Sequence, residues 1–153
     1  MTNIFEETYN AMQEAKAAYN RAATEESRDA AEAAFREAKD RMAAHGDIAW
    51  TIWRAYESSR ENENEVINFD DIIPDRDIEA LITCMRENGI QTFTYSCRAT
   101  DAIETLWLFT ELGCTIGEMV LVNLRKDPWI DGYDMGHAFR ISLNGEDYTE
   151  RRS

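Results

Sequence analysis

The chain has 153 residues, of which 44% are apolar, and it carries a formal net charge of −14 at pH 7. This length and composition suit one folded domain, or one domain with an appendage, and argue against a disordered chain. The acidity argues against non-specific binding to nucleic acid or to anionic membranes, because both require a basic surface. It favours a basic protein partner, although acidity can also serve only to keep a protein soluble.

Three features of the sequence indicate a cytoplasmic protein. The N-terminal segment lacks the basic and apolar parts of a signal peptide. No apolar run approaches the roughly 20 residues that span a bilayer. The cysteines, Cys84, Cys97 and Cys114, are odd in number, which suits a reducing cytosol better than a disulfide framework. We therefore expect no membrane segment.

Apolar residues at helical spacing run through residues 3–45. Two stripes keep a 3.6-residue period: the first holds Phe5, Tyr9, Met12, Ala15, Tyr19 and Ala23, and the second holds Ala31, Phe35, Ala38 and Met42. The interval between the stripes breaks the period, which predicts an antiparallel helical hairpin with a turn near residues 24–27. One continuous helix with a rotating apolar face is the alternative. We predict a hairpin at residues 1–45 that packs on the rest of the chain or, as a second possibility, forms a homodimer.

An α+β domain is predicted for residues 46–153. Its first helix follows Gly46 and carries a bulky stripe of Ile48, Ala49, Ile52, Trp53 and Tyr56. Residues 57–65 have no apolar side chain and predict an exposed loop or a frayed helix end, followed by a short strand at residues 66–69. Negative charge is concentrated here, because residues 57–79 hold nine acids against Arg60 and Arg76. This stretch carries a net charge of −7, half of the total.

Residues 78–123 predict a helix, a strand, a second helix and a second strand. The first helix shows Ile78, Leu81, Ile82 and Met85 at positions i, i+3, i+4 and i+7. The strand that follows alternates Phe93, Tyr95 and Cys97 with polar residues. The second helix is capped at Thr100 or Asp101. The run Ile116–Val122 is more continuously apolar than the first strand, as in a central strand, and we expect a parallel crossover between the two strands.

The last predicted strand begins at His137 and pairs antiparallel as the second arm of a wide hairpin. Residues 124–136 form its turn-rich connection, and the polar tail after residue 145 is expected to be loose. The predicted fold is therefore α+β: an N-terminal helical hairpin and a helix, packed with a small mixed sheet in αβαββ order that is covered mainly on one face.

Catalytic and metal-binding motifs are absent from the sequence. There is no phosphate-binding loop, dinucleotide fingerprint or nucleophile elbow, and neither histidine forms a closely spaced ligand pair with a cysteine. Cys97 lies ahead of a helix N-terminus and beside Arg98, a setting that can activate a thiol, yet its place in the alternation buries it. We expect a non-enzymatic protein without cofactor or metal, and treat a Cys97-based enzyme as the minor alternative.

The run from Ile82 to Val122, with its Met-Arg-Glu-Asn-Gly-Ile-Gln-Thr-Phe-Thr-Tyr-Ser core, resembles small proteins carried on phages and plasmids of gut bacteria. Such acidic proteins of mobile elements include anti-CRISPR and anti-restriction inhibitors, some of which mimic DNA. The resemblance implies an inhibitor of a CRISPR or restriction nuclease. It carries no catalytic signature, and it assigns no role to any single residue.

Charge and aromatic placement together predict an interaction surface. Its acids would pair with the lysines and arginines that hold phosphates on a basic nucleic-acid-binding surface. Aromatic residues beside proline and glycine on a long connection either anchor a partner or fold back over the sheet. The predicted partner-binding residues are Glu61, Glu63, Glu65, Asp70, Asp71, Asp75, Asp77, Trp129 and Tyr133. A structural or regulatory adaptor that assembles through the N-terminal helices is the alternative function.

Overall fold

A computed structural model describes residues 3–71 and 73–143 of the chain. Two N-terminal helices, α1 (Ile4–Arg21) and α2 (Glu25–Ala43), form the predicted hairpin. The Asn3 side chain accepts hydrogen bonds from the first backbone N–H groups of α1, and the Thr24 side chain caps α2 in the same way. Because Ala22 at the end of α1 is extended, the alternative of one continuous helix is wrong.

Three further helices complete the helical part: α3 (Asp47–Glu61), α4 (Asp75–Glu87) and α5 (Ala102–Glu111). Gly46 precedes α3 with a φ of 102°, a left-handed conformation that glycine adopts without steric cost. All four residues of the predicted α4 stripe are buried, which confirms its 3.6-residue period. None of the helices in the described ranges is both long and apolar enough to cross a membrane.

Four strands form one mixed sheet: β1 (Asn68–Asp70), β2 (Thr92–Ser96), β3 (Thr115–Lys126) and β4 (Tyr133–Ser142). Their order is β1-β2-β4-β3, with β1 and β2 parallel and the other neighbours antiparallel. The predicted α+β architecture and the wide hairpin are therefore confirmed.

The prediction that Ile116–Val122 forms a central strand is wrong. β4 inserts between β2 and β3, so that β3 is an outer strand of the sheet even though it runs in the same direction as β2. The predicted connection at residues 124–136 is also shorter than expected, because β3 continues to Lys126 and β4 begins at Tyr133. The predicted polar tail lies outside the described residues.

Aromatic rings fill the core on the helix-covered face of the sheet. Phe93 contacts Phe69 and Phe109 edge to face, with ring centroids 5.6 and 5.3 Å apart, and Tyr95 contacts Phe109 at 5.5 Å. The base of the helical hairpin belongs to the same core through four buried side chains, Phe5, Met12, Ala38 and Met42. The hairpin is thus anchored to the sheet-bearing part of the chain by apolar burial at its base.

The opposite face of the sheet carries a buried polar network near β1. Thr94 donates from its hydroxyl to Asn68 Oδ1 at 2.8 Å, and Asn68 donates from Nδ2 to Ser96 Oγ at 3.2 Å. Ser96 in turn donates to Asp70 Oδ1 at 2.7 Å. Each of these buried hydroxyl and amide groups therefore has a hydrogen-bond partner, as burial of polar groups requires.

Candidate interaction surface

The acidic loop, residues 61–65, begins with a turn that holds an unusual residue. Glu63 has a φ of 58°; its N–H donates to Arg60 O at 3.1 Å, and the next N–H, of Asn64, donates to Ser59 O at 2.9 Å. These are the two hydrogen bonds of a Schellman motif, in which the left-handed position is usually a glycine. A side chain there costs about 1 kcal/mol, so Glu63 is held in place by its surroundings rather than by its own preference.

A lattice of asparagine side chains fixes the acidic loop to the end of β3. Asn64 donates from Nδ2 to Asn123 O at 2.7 Å and accepts from Asn123 N–H at 2.9 Å. Asn62 donates to Leu124 O at 3.0 Å and accepts from Asn123 Nδ2 at 2.9 Å. These four bonds join residues about sixty positions apart in sequence, and they hold the backbone of the loop rigidly against the hairpin.

Two predicted partner-binding residues meet at the same place. Tyr133 donates from its hydroxyl to Glu63 Oε2 at 2.9 Å. Desolvation, together with the Glu63 carboxylate, raises the pKa of Tyr133 above its ordinary value, because the negative charge disfavours the phenolate. The structure therefore brings the acidic loop and the start of β4 together, although seventy positions separate them in sequence.

The hairpin tip, residues 127–132, presents the predicted tryptophan to solvent. Trp129 is 90% exposed, and the neighbouring Ile130 is also exposed. The Asp127 carboxylate accepts the Trp129 N–H at 2.8 Å, and Asp127 N–H donates to Gly132 O, so the tip is a closed turn. Of the two interpretations offered by the sequence, folding back over the sheet is excluded, since the indole points away from the protein.

Three of the four remaining predicted acids line a cleft of about 560 Å³ between α3, β1 and the start of α4. Asp70, Asp71 and Asp77 line it, whereas Asp75 does not. The cleft is also lined by Asn62, Asn64, Asn123 and Leu124, so it adjoins the acidic loop. Arg54 also lines the cleft and offsets part of its negative charge.

Glu61, Glu63 and Glu65 are exposed and form no ion pair with any described residue. Arg60, the adjacent cation, is engaged elsewhere: it lies 4.4 Å from the ring centroid of Tyr9 and donates to the Tyr56 hydroxyl at 2.9 Å. Burial, and then the negative charge of Glu61, raises the pKa of Glu57. Negative charge therefore accumulates at the end of α3, and Lys16, Lys39 and Arg54 offset only part of it near Glu57.

Sequence reasoning missed the residues that shape this surface. Asn62, Asn64 and Asn123 hold the acidic loop against β3. No sequence pattern predicts that an asparagine after α3 bonds to one in a distant strand. Cys97 is half-buried, accepts the Ala99 N–H at 3.4 Å and is not among the residues that line the cleft. Within residues 3–71 and 73–143, no three His, Cys, Asp or Glu side chains come together as a metal-binding group.

Comparison with known families shows that the acidic loop and the hairpin tip lie within the part of the chain that matches a family. Residues 51–143 match a domain of unknown function, DUF7698. The chain belongs to this family. The DUF7698 domain begins within α3 and ends just after β4, so it contains the acidic loop, the hairpin tip and the whole cleft lining except Ile48, but not α1 and α2. No curated protein and no solved structure matches the chain.

Proposed function

We propose that the protein is a cytoplasmic, non-enzymatic inhibitor that binds a basic nucleic-acid-binding surface of a protein through its acidic loop. A CRISPR or restriction nuclease is the partner class that we favour, following the resemblance in residues 82–122 to proteins of mobile elements. The inhibitor would act as a mimic of the nucleic-acid backbone, because carboxylates form charge-assisted hydrogen bonds with the same lysines and arginines that hold phosphates.

One observation carries this proposal: three exposed, unneutralised carboxylates stand on a loop whose backbone is fixed. Glu61, Glu63 and Glu65 have no cation partner among the described residues, and the asparagine lattice holds their backbone. A rigid array loses little conformational entropy on binding. A loop that served only solubility would not need four side-chain hydrogen bonds to a distant strand.

The test is inhibition of DNA binding and DNA cleavage by a panel of CRISPR and restriction nucleases, at low and moderate salt. We expect inhibition that weakens as salt rises, because charge contacts are screened. The triple variant Glu61→Gln, Glu63→Gln, Glu65→Gln should lose inhibition, whereas the matched variant Glu25→Gln, Glu26→Gln, Asp29→Asn should keep it. No inhibition of any nuclease, or equal inhibition by both variants, would contradict the proposal.

A structural adaptor remains the second candidate because of a groove in the outer half of the helical hairpin. The groove has a volume of about 560 Å³ and is lined by eight residues: Ala15, Lys16, Tyr19, Asn20, Ala31, Glu32, Phe35 and Arg36. Tyr19 is 41% exposed there. These helices lie outside the matched domain, which favours a role separate from that of the acidic loop.

Light scattering of the full chain tests the adaptor. A dimer that Tyr19→Asp converts to a monomer, with unchanged circular dichroism, would support assembly through the groove. Asn10→Asp, on the exposed surface of the same helix, is the control for added charge. A monomer at high micromolar concentration would remove this candidate.

A further inference from the structure

The outer edge of β3 leaves main-chain hydrogen-bonding groups unused. Asn123 gives both its N–H and its C=O to Asn64, so they point away from β4, and the Asn123–Met135 pair is not a hydrogen-bonded pair of the ladder. Along an antiparallel ladder, residue pairs that exchange main-chain hydrogen bonds alternate with pairs that do not. The register is continuous from Met119 to Asn123, so the N–H and C=O groups of Met119 and Leu121 also point away from β4.

The hydrogen bonds on the other side of the sheet agree with this alternation. Thr94 donates its N–H to Ile67 O, towards β1. Its neighbour Tyr95 must then face β4, where it lies opposite Phe139. Phe139 therefore turns its own main-chain groups to Tyr95 and not to Met119, its other cross-strand neighbour. The Asn64–Asn123 bonds and the bonds between β1, β2 and β4 therefore lead to the same conclusion: the N–H and C=O groups of Met119 point to the outer edge of the sheet.

The edge window, residues 119–121, is closed at both ends. Asn64 occupies the position beside Asn123, and the ladder is irregular between Ile116 and Met119, where a bulge interrupts the strand. Between these two limits, four main-chain groups have no partner among the described residues. The window therefore suits a short extended segment of two or three residues.

The side chains of the window lack the usual protection of an edge strand. Met119 and Leu121 are 56% and 57% exposed, and Met135 extends this apolar row on β4. In natural proteins, lysine, proline or an inward-pointing charge on an edge strand prevents it from pairing with another chain. The nearest charges, Glu118 and Arg140, form an ion pair with each other at 3.3 Å and so do not repel an incoming strand.

We propose that the edge window binds an extended segment of the basic partner by strand addition. This inference rests on the proposed function, because the charge of the acidic loop selects the occupant. Apolar side chains of the segment would lie beside Met119 and Leu121. Asn64 joins the window to the acidic loop, so lysine or arginine at that end of the segment would meet Glu63 and Glu65.

A second copy of the chain fits the window less well. Antiparallel self-pairing centred on Val120 would place Met119 opposite Leu121 of the other copy and Gly117 opposite Asn123. The position beside Asn123 is already filled by Asn64. Each copy also carries a net charge of −14, which opposes association at low salt. A partner segment that ends at the window avoids both obstacles.

The experiment uses two synthetic peptides, acetyl-Lys-Arg-Thr-Val-Thr-Val-amide and acetyl-Thr-Val-Thr-Val-Lys-Arg-amide, titrated into the full chain. Two orders are needed because the segment can run in either direction. We expect at least one of them to shift the amide resonances of Met119 and Leu121 and to slow their hydrogen exchange, because strand addition bonds those N–H groups. A peptide of the same sequence with methylated backbone nitrogens should not bind.

Peptide binding to two variants distinguishes the edge of β3 from other exposed apolar side chains as the binding site. Leu121→Pro removes an outward N–H without removing a bond to β4, and should weaken binding about tenfold, the equivalent of one hydrogen bond of about 1.4 kcal/mol. Ile103→Thr changes an exposed apolar side chain on α5, away from the edge window, and should change binding less than about twofold.

Four outcomes would overturn the inference. The first is no binding of either peptide at millimolar concentration, and the second is equal binding to Leu121→Pro. Shifts confined to residues 61–65 would also overturn it, yet would leave the proposed function standing. Equal binding of a peptide with serines in place of lysine and arginine would overturn the choice of a basic occupant. Peptide binding at Met119 and Leu121 without nuclease inhibition would instead remove the proposed function alone.

Discussion

At the scale of single residues, the Asn64 side chain provides the hydrogen bonds that a neighbouring β-strand would provide, although Asn64 lies in a loop. Its amide group donates to and accepts from the backbone of Asn123, which satisfies two outward-facing main-chain groups. No other side chain of the same size offers a donor and an acceptor in this geometry without a charge. The position of the acidic loop therefore depends on an amide, which sequence periodicity cannot reveal.

We predict that Asn64→Asp lowers the free energy of unfolding by about 1–3 kcal/mol, because the carboxylate cannot donate to Asn123 O. Urea denaturation at pH 7 measures the change, and the Asn123 amide should exchange faster with solvent. Asn10→Asp adds the same charge at an exposed site of α1 and should change stability by less than about 0.5 kcal/mol. A loss of stability in Asn64→Asp no larger than that of the control would show that the lattice does not stabilise the loop.

A second residue-scale prediction concerns the Tyr95 hydroxyl, which is buried close to the Cys97 and Thr105 side chains but is not in hydrogen-bonding geometry with any described residue. Burial raises the pKa of Tyr95 to about 12. Because the folded state holds this proton more tightly than the unfolded state, stability keeps its full value below pH 10, the ordinary value, and falls between pH 10 and about 12.

We expect Tyr95→Phe to be as stable as the wild type at pH 7, or more stable, because it removes an unpaired polar group. Above pH 10 the variant should lose less stability than the wild type, since it has no phenol to ionise on unfolding. Urea denaturation at both pH values makes the comparison. A variant clearly less stable at pH 7 would show that the hydroxyl has a partner in solution.

At the scale of secondary structure, periodicity predicted each helix and strand, but not which strands are neighbours. The α4 stripe was correct because this helix buries one face on the core. The β2 pattern predicted a strand correctly but one buried face wrongly, because Thr94 and Ser96 on its polar face are buried as well. The apolar run from Met119 to Val122 predicts a central strand, whereas β3 lies at the edge of the sheet. That run is apolar for different reasons: Val122 is buried on one face, and Met119 and Leu121 are exposed on the other.

The bulge at the start of β3 gives a prediction for this element. A Cβ atom on Gly117 would lie 3.1 Å from the carbonyl oxygen of Arg140, a backbone atom that can move little. Gly117→Ala should therefore lower the free energy of unfolding by about 1–2 kcal/mol. Gly132→Ala, where the new atom meets only the Ile130 Cδ1 at 3.9 Å, should be within about 0.5 kcal/mol of wild type. Equal stability of the two variants in thermal unfolding would contradict this account of the bulge.

At the scale of the whole molecule, the fold class could be predicted from the sequence, whereas the interaction surface could be predicted only in part. The acids of residues 57–79 were visible as composition, and Trp129 as an aromatic in a turn. Their assembly could not be predicted, because it depends on contacts between Glu63 and Tyr133 and between Asn64 and Asn123. Long-range polar contacts leave no periodic signal.

The division into a hairpin of residues 1–45 and an α+β domain of residues 46–153 remains a prediction, and the shared core bears on how the two unfold. Phe5 and Met42 are fully buried in the same cluster as Ile52 and Phe93. Residues in one core lose their packing together, so we expect a single unfolding transition for the whole chain.

Phe5→Ala tests this expectation, because it opens a cavity where α1 meets the core. It should lower the free energy of unfolding by about 3–5 kcal/mol and still give one transition by both circular dichroism and tryptophan fluorescence. Tyr19→Ala, in the outer half of α1, should cost less than about 1 kcal/mol, since Tyr19 is partly exposed. If α1 and α2 instead formed an independent unit, Phe5→Ala would split the transition: the helical signal would fall first, while the fluorescence of Trp53, buried in the core, would keep the wild-type midpoint.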